Sequence, residues 1–389
     1  MALIKALTAA MRQGRASSRA TVARVGSLVR LRGLSSGVAT MSGRLATDST
    51  ETLGASNPRA WGSELTQDPS SLQYYASDKV EAELYAWCEK ALEQSTNPDH
   101  VACDRADLPF TCEMVEHLEQ AYLMDGPGLA LLQPMPSLAK NIHAMRFAAL
   151  AMSSCLGTPL VQNAAGDKSI LVFDRDAGRK MVDGQRYHQS HEGGSMHTDN
   201  VNVPETWEYM LLTCLQPAAE GGESILLSSS TVEAYLAKHD PEALETLKED
   251  FLWELRGFSE RFYRAPILFH GTDGYPCFRW LREYLESAHA RAGEPLTDRQ
   301  ISALNALTNA TLEESLQLRY NMAKGEILFA NDMSLLHGRT TFYDRQQAST
   351  EYDFGTQANR LLQRNWVKTK TSQYANVNVS RYAYYDLAE

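Results

Sequence analysis

With 389 residues, 43% of them hydrophobic and 22% charged, the chain has the make-up of an ordinary globular enzyme. No run approaches the roughly 18 apolar residues of a membrane helix, so no membrane span is expected. Residues 1–47 hold eight basic residues and no acid, so the formal charge of −11 becomes −11 − 8 = −19 for the remainder; a body that acidic is a poor partner for phosphate backbones, and no nucleic-acid partner is expected.

The chain opens with Lys5, Arg12, Arg15, Arg19, Arg24, Arg30, Arg32 and Arg44, set among Ala and Ser. An Arg- and Ser-rich, acid-poor leader over 1–45 reads as an organelle transit peptide, mitochondrial by first choice and plastid by second. A disordered basic tail on a cytoplasmic protein is the plainer alternative. Residues 46–75, rich in Ser, Thr, Pro and Asn, read as a linker. Six scattered cysteines (Cys88, Cys103, Cys112, Cys155, Cys214, Cys277) include no CxxC pair, which favours reduced, mostly buried thiols.

Apolar spacing predicts helices over 79–94, 114–124 and 140–156, the second ended by Gly126-Pro127-Gly128 and the third by Gly157-Thr158-Pro159. Leu129–Leu132 and Ile170–Phe173 read as strands. Farther on, Tyr209–Leu215 has the pattern of a buried strand, and Gly221-Gly222 turns into another over Ser224–Ser228. Ser230-Thr231-Val232-Glu233 reads as a capping box. Asp240-Pro241 opens a further helix with Pro at its first position. Helical patterns cover 279–292 and 297–318, and strands return at 318–322, 326–331, 335–337 and 359–368. Many short strands with helices between them predict a mainly β protein with flanking helices (α+β) and a closed or sandwiched core. Residues 46–120 form a linker and helical segment, and 121–389 the main domain.

The chemistry concentrates in His197-Thr198-Asp199 and, far downstream, His337. On an extended segment, side chains two apart point the same way, so His197 and Asp199 converge on one point. A distal histidine completes two imidazoles and one carboxylate, the facial ligand set of non-haem Fe(II) oxygenases. An HxD alone is weak, since a chain with ten histidines produces one by accident. His188 and His191, close upstream, read as loop histidines.

Six islands in order resemble the TauD/TfdA family of Fe(II)/2-oxoglutarate dioxygenases, which includes clavaminate synthase-like enzymes. They are Gly128-Leu129-Ala130-Leu131-Leu132, Leu156-Gly157-Thr158-Pro159, Ser195-Met196-His197-Thr198-Asp199-Asn200, Gly221-Gly222-Glu223-Ser224, Leu335-Leu336-His337-Gly338-Arg339-Thr340-Thr341-Phe342 and Arg360-Leu361-Leu362-Gln363-Arg364-Asn365-Trp366. The resemblance implies a double-stranded β-helix (jelly-roll) core. It implies Fe(II) held by His197, Asp199 and His337, with 2-oxoglutarate and O2 as cosubstrates. Ser224, where the family usually has Thr, and Arg360 would hold the distal carboxylate of 2-oxoglutarate; a guanidinium fork suits a planar carboxylate.

Arg364 lies four residues along the same strand, on the same face and roughly 13 Å away. It would meet the metal-side carboxylate of the cosubstrate or an acidic group of the substrate. Arg339 follows the distal histidine so closely that it reads as a brace. Ser224 has the alternative of a plain turn hydroxyl, and Arg345 competes with Arg360 for the clamp. Two departures from the family stand out. The interval from His337 to Arg360 is long, with 343–357 reading as inserted, and Asp332 stands where the family commonly has Asn.

Retention of Asp199 points away from family-type halogenation, in which a small residue replaces that carboxylate. Hydroxylation, desaturation or oxidative ring closure is expected instead. Gln162, Asn200 and Asn202 could hydrogen-bond a polar substrate, and with Arg364 they favour a small, amino-acid-derived organic acid. Carnitine-pathway hydroxylases and ring-closing kainoid synthases are the alternatives within the family; a non-catalytic metal-binding jelly roll is the alternative outside it. The oligomeric state is open.

Overall fold

A computed structural model describes residues 57–163, 165–175, 187–199, 201, 207–255 and 261–369. The chain divides into residues 1–50 and 51–389, and every described residue belongs to the second unit. The transit-peptide leader, Asn200 and Asn202 lie outside the described residues.

In chain order the strands are β1 (Gln73–Tyr74), β2 (Leu129–Leu132), β3 (Thr158–Pro159), β4 (Ser169–Val172), β5 (Tyr209–Gln216), β6 (Glu220–Gly221), β7 (Ser224–Ser228), β8 (Asp250–Glu254), β9 (Phe262–Pro266), β10 (Leu268–His270), β11 (Pro276–Phe278), β12 (Gln317–Tyr320), β13 (Ile327–Asn331), β14 (Leu335–Arg339), β15 (Phe342–Tyr343) and β16 (Leu361–Lys368). The main sheet runs β1-β2-β13-β5-β16-β3, with β4 also paired to β16. A second sheet runs β12-β7-β14. Pairing is antiparallel throughout except between β1 and β2.

Period-two alternation divides the side chains between faces. Met210 and Cys214 of β5, Leu362 and Trp366 of β16 and Leu328 of β13 meet Leu226 of β7, Leu318 of β12 and Leu335 of β14 in one apolar cluster. The two sheets therefore face each other across it. The alternate residues, among them Leu211, Phe329, Leu361 and Val367, form the outer face of the main sheet and pack beneath helices α1 (Asp78–Gln94), α2 (Pro109–Leu118) and α3 (Ile142–Leu156). Leu227 and Leu336 form the outer face of the second sheet, beneath α4 (Ser229–His239), α5 (Pro241–Leu247), α6 (Arg282–Ala292) and α7 (Asp298–Leu312). The result is helices, sheet, sheet, helices.

Local chemistry explains most boundaries. Asn141 caps α3 by accepting the N–H groups of His143 and Ala144, and Asp240 caps α5 with Pro241 at its first position. The cap of α4 is Ser228, which accepts the Thr231 N–H, so the helix begins before the Ser230 capping box read from the sequence. The end of the 297–318 pattern is a short 3-10 turn leading into β12. The antiparallel pairs β8–β9 and β10–β11 are strands that the apolar spacing of the chain does not predict.

Two expectations are corrected. Residues 57–75, read as part of a linker, are packed: Arg59 and Trp61 are buried and β1 extends the main sheet. The helices that follow share a core with that sheet, so 57–120 is part of the domain. Cys112 and Cys155, expected as reduced thiols, form a disulfide between α2 and α3 with their Cα atoms 4.9 Å apart. Helix packing makes that pair, and a sequence separation of 43 does not reveal it. Among the described residues, no helix is long and apolar enough to cross a membrane.

Candidate metal centre and cosubstrate pocket

The HxD segment lies against two neighbours at once. His197 forms an isolated antiparallel bridge with His337, with N–H to carbonyl distances of 2.9 and 2.8 Å in the two directions. On the other side the Thr198 N–H donates to the Trp280 carbonyl, and the Trp280 N–H donates to the Thr198 hydroxyl. Alternation turns Thr198 into the core and brings His197 and Asp199 to the side of His337.

The three candidate ligand atoms lie within 4.8 Å of one another. Nε2 of His197 is 3.9 Å from Asp199 Oδ1, and Nε2 of His337 is 4.0 Å from Asp199 Oδ2. Each imidazole turns its Nδ1 elsewhere: that of His197 is hydrogen-bonded to the Ser195 carbonyl at 3.0 Å, and that of His337 faces Asp332 Oδ1 at 3.3 Å. Protons on both Nδ1 atoms leave both Nε2 lone pairs for one cation. Two imidazoles and a carboxylate suit Fe(II), whereas a thiolate set would select softer metals. The residues therefore fit the ion.

The electrostatics hold the set ready. Burial, helped by His337, lowers the His197 pKa to about 3, so this imidazole is neutral at ordinary pH. Burial alone would raise Asp199, but Arg364 and the two histidines more than reverse it, to about 2. For His337 burial is outweighed by Asp332, and its pKa is raised.

On β16 the inward face carries Leu362, Arg364 and Trp366. Arg364 Nη1 donates to Asp199 Oδ1 at 2.8 Å, and the Trp366 indole N–H donates to Asp199 Oδ2 at 2.8 Å. Gln162 Oε1 accepts from Arg364 Nε, while Gln162 Nε2 donates to the carbonyls of Lys168 and Arg364. Gln162 thus orients Arg364, and Arg364 braces a candidate ligand, tasks nearer the metal than the substrate contacts read from the sequence. The HxD motif identifies Asp199, whereas the Gln162–Arg364–Asp199 relay joins segments far apart in sequence.

Arg360 and Ser224 line one cavity of about 250 Å³ with Gly221, Gly222, Met322 and Leu362. Arg360 is buried and lies 4.8 Å over the Phe342 ring, with a register shift in β16 beside it; such bulges re-aim side chains. Gly222 has φ +75°, and a Cβ there would sit 3.0 Å from Arg360 Nε, so the Gly221-Gly222 turn makes room for the guanidinium. Arg345, the competitor for the clamp, is exposed, whereas Arg360 is buried in the cavity lining. Arg339 is the expected brace: it donates to the carbonyls of Ser190, His191 and Glu192, holding the loop that leads to His197. His191 pairs with Asp174 away from the ligand set. Burial raises the thiols of Cys88 and Cys277, and that of Cys214 to about 12, so none of the three offers a thiolate nucleophile.

The sequence profile of the taurine catabolism dioxygenase TauD, TfdA family matches residues 115–364. The chain belongs to this family. It is an Fe(II)/2-oxoglutarate-dependent dioxygenase, and the His197, Asp199 and His337 cluster falls inside the matched span. FR-33289 synthase of Streptomyces rubellomurinus is 22% identical over 82% of this chain and 92% of its own. Taurine hydroxylase-like protein SAT17 of Stachybotrys chartarum is 30% identical over 47% of this chain and 48% of its own. Uridine-5'-phosphate dioxygenase of a Streptomyces species is 26% identical over 58% and 83%. Among solved structures, asparagine oxygenase with Fe(II), hydroxyasparagine and succinate superposes with a TM-score of 0.56, at 17% identity over 77% of this chain and 94% of that one. The non-haem iron oxygenase OrfP with Fe and α-ketoglutaric acid superposes with a TM-score of 0.53, at 15% identity over the same shares. Both likenesses are of fold.

Proposed function

We propose that this dioxygenase, built on a double-stranded β-helix core, oxidises an unactivated C–H bond of a small, amino-acid-derived organic acid. Bound Fe(II) supplies the oxidising chemistry, with O2 and 2-oxoglutarate consumed and succinate and CO2 released. The observation that carries the reading is the convergence of His197, Asp199 and His337, with Arg364 of β16 bonded to Asp199, and with Arg360, immediately before that strand, lining a cavity with Ser224. In it, the three converging residues hold the ion. Arg360 and Ser224 take the distal carboxylate of 2-oxoglutarate, and the apolar cluster between the sheets keeps water away from the reacting centre.

Asp199 fills a third protein ligand position, which favours hydroxylation, desaturation or ring closure over halogenation. Arg364 supports an acidic substrate: Nε and Nη1 are bonded to Gln162 and Asp199, and Nη2 makes no hydrogen bond among the described residues. It is the donor left for an incoming carboxylate.

The test is a screen for succinate release above the uncoupled background, using amino acids, their N-alkyl derivatives and nucleoside 5'-monophosphates. Stimulation by an amino-acid derivative, abolished in Asp199→Ala, is expected. Stimulation by the nucleotides alone would overturn the substrate class. Residues 1–45 are proposed as a mitochondrial transit peptide on their composition. N-terminal sequencing of the native protein should find them removed, and an intact Met1 would defeat that proposal.

A further inference from the structure

We infer that Asp332 is a positioning residue of the metal centre, one carboxylate that fixes two of the three ligands. Its side chain is fully buried. Oδ1 faces His337 Nδ1 at 3.3 Å, and Oδ2 accepts the backbone N–H of Asp199 at 3.0 Å. The contact with Oδ1 sets the ring of the distal histidine, and the hydrogen bond to Oδ2 sets the main chain from which the ligand carboxylate projects.

The placement is imposed from outside the site. Asp332 leaves the end of β13, where its own N–H donates to the Glu208 carbonyl on the approach to β5. The turn into β14 is closed by Ser334 N–H on the Asn331 carbonyl and by Met333 N–H on the Asn331 side chain. The frame that orients Asp332 is therefore built by Glu208, Asn331, Met333 and Ser334.

The two histidines consequently differ. His197 donates Nδ1–H to a neutral carbonyl, whereas His337 faces the carboxyl group of Asp332. A carboxylate behind a metal-bound imidazole fixes its tautomer and strengthens its Nε2 as a donor. A buried carboxylate is costly without such partners, and here both partners belong to the ligand set. The family commonly has Asn at this place; an amide carries only one oxygen, so one of the two groups that face Asp332 would meet an NH2 donor instead of an acceptor.

This inference rests on the reading of His197, Asp199 and His337 as ligands. The test uses the full chain as Asp332→Asn and Asp332→Ala. Three measurements are needed: thermal melting without metal, anaerobic binding of Fe(II) and Co(II), and the visible charge-transfer band of the Fe(II)·2-oxoglutarate complex. Metal dissociation constants are expected to rise about 10- to 100-fold for Asp332→Ala. The rise should be smaller for Asp332→Asn, whose band should shift. If Asp332→Ala does not fold, the near-isosteric Asn variant decides. An Asp332→Asn protein that binds Fe(II) within about twofold of the parent, with an unshifted band, would overturn the inference. His197→Ala binding Fe(II) as tightly as the parent would instead remove the ligand set, and the inference with it.

Discussion

At the scale of the residue, each candidate ligand has a partner that gives it one orientation: Ser195 for His197, Arg364 and Trp366 for Asp199, Asp332 for His337. His197→Ala removes a ligand without touching Arg360, so it should abolish substrate-dependent succinate release and leave the metal-free melting temperature close to that of the parent. Arg360→Lys keeps the charge but loses the fork. It should raise the KM for 2-oxoglutarate at least about tenfold, about 1.4 kcal/mol of binding, with little change in Fe(II) affinity. Glu208 gives a pH prediction away from the chemistry. Burial pushes its pKa up to about 7, against an ordinary 4.5. The folded carboxyl keeps a proton that the unfolded chain releases, so stability that is full below about pH 4.5 is lost as pH rises through 7. The loss is at most about 3.5 kcal/mol, at about 1.4 kcal/mol per unit. Urea unfolding of the metal-free protein at about pH 5 and pH 8 should show that loss in the parent and a flatter profile in Glu208→Gln.

At the scale of the element, the legible parts were those with a single local cause. Leu129–Leu132 and Ser224–Ser228 form the strands expected from their apolar runs. Asp240-Pro241 starts its helix because cap and proline act together. What escaped depends on tertiary partners. The Ser-rich run at 228–230 offers three similar hydroxyls, and only the position where β7 ends selects Ser228 as the cap. The His197–His337 bridge, the stapling of Thr198 to Trp280 and the bonds from Gln162 through Arg364 to Asp199 join segments up to about 200 residues apart. Sequence periodicity records which face a residue occupies and is silent about what stands opposite. The Gly221-Gly222 turn lends itself to test: Gly222→Ala forces a side chain onto φ +75° and against Arg360. It should destabilise by about 1–2 kcal/mol and weaken 2-oxoglutarate binding more than Fe(II) binding. An unchanged KM for 2-oxoglutarate would separate the turn from the clamp.

At the scale of the molecule, two facing sheets with helices on both outer faces leave one dry interior into which the polar residues of β14 and β16 project. The ligand islands were visible in the sequence in order, and the sandwich explains why that order matters. β7, β14 and β16 line the same interior although 137 positions separate Ser224 from Leu361. The N-terminal helices were read as an appendage because their apolar faces do not announce the sheet they cover. Metal binding to the folded chain alone should stabilise it, by about 2.7 kcal/mol at a hundredfold excess over the dissociation constant; a chelator should therefore lower the melting temperature of the parent and leave His337→Ala unmoved. The central claim is that His197, Asp199 and His337 form one iron site and that Arg360 holds its 2-oxoglutarate. Anaerobic titration of the protein with Fe(II) and then 2-oxoglutarate tests it most directly. A visible charge-transfer band that saturates at one equivalent, absent in His337→Ala and requiring more 2-oxoglutarate in Arg360→Lys, is the predicted result; no band in the parent, or an undiminished band in His337→Ala, would contradict it.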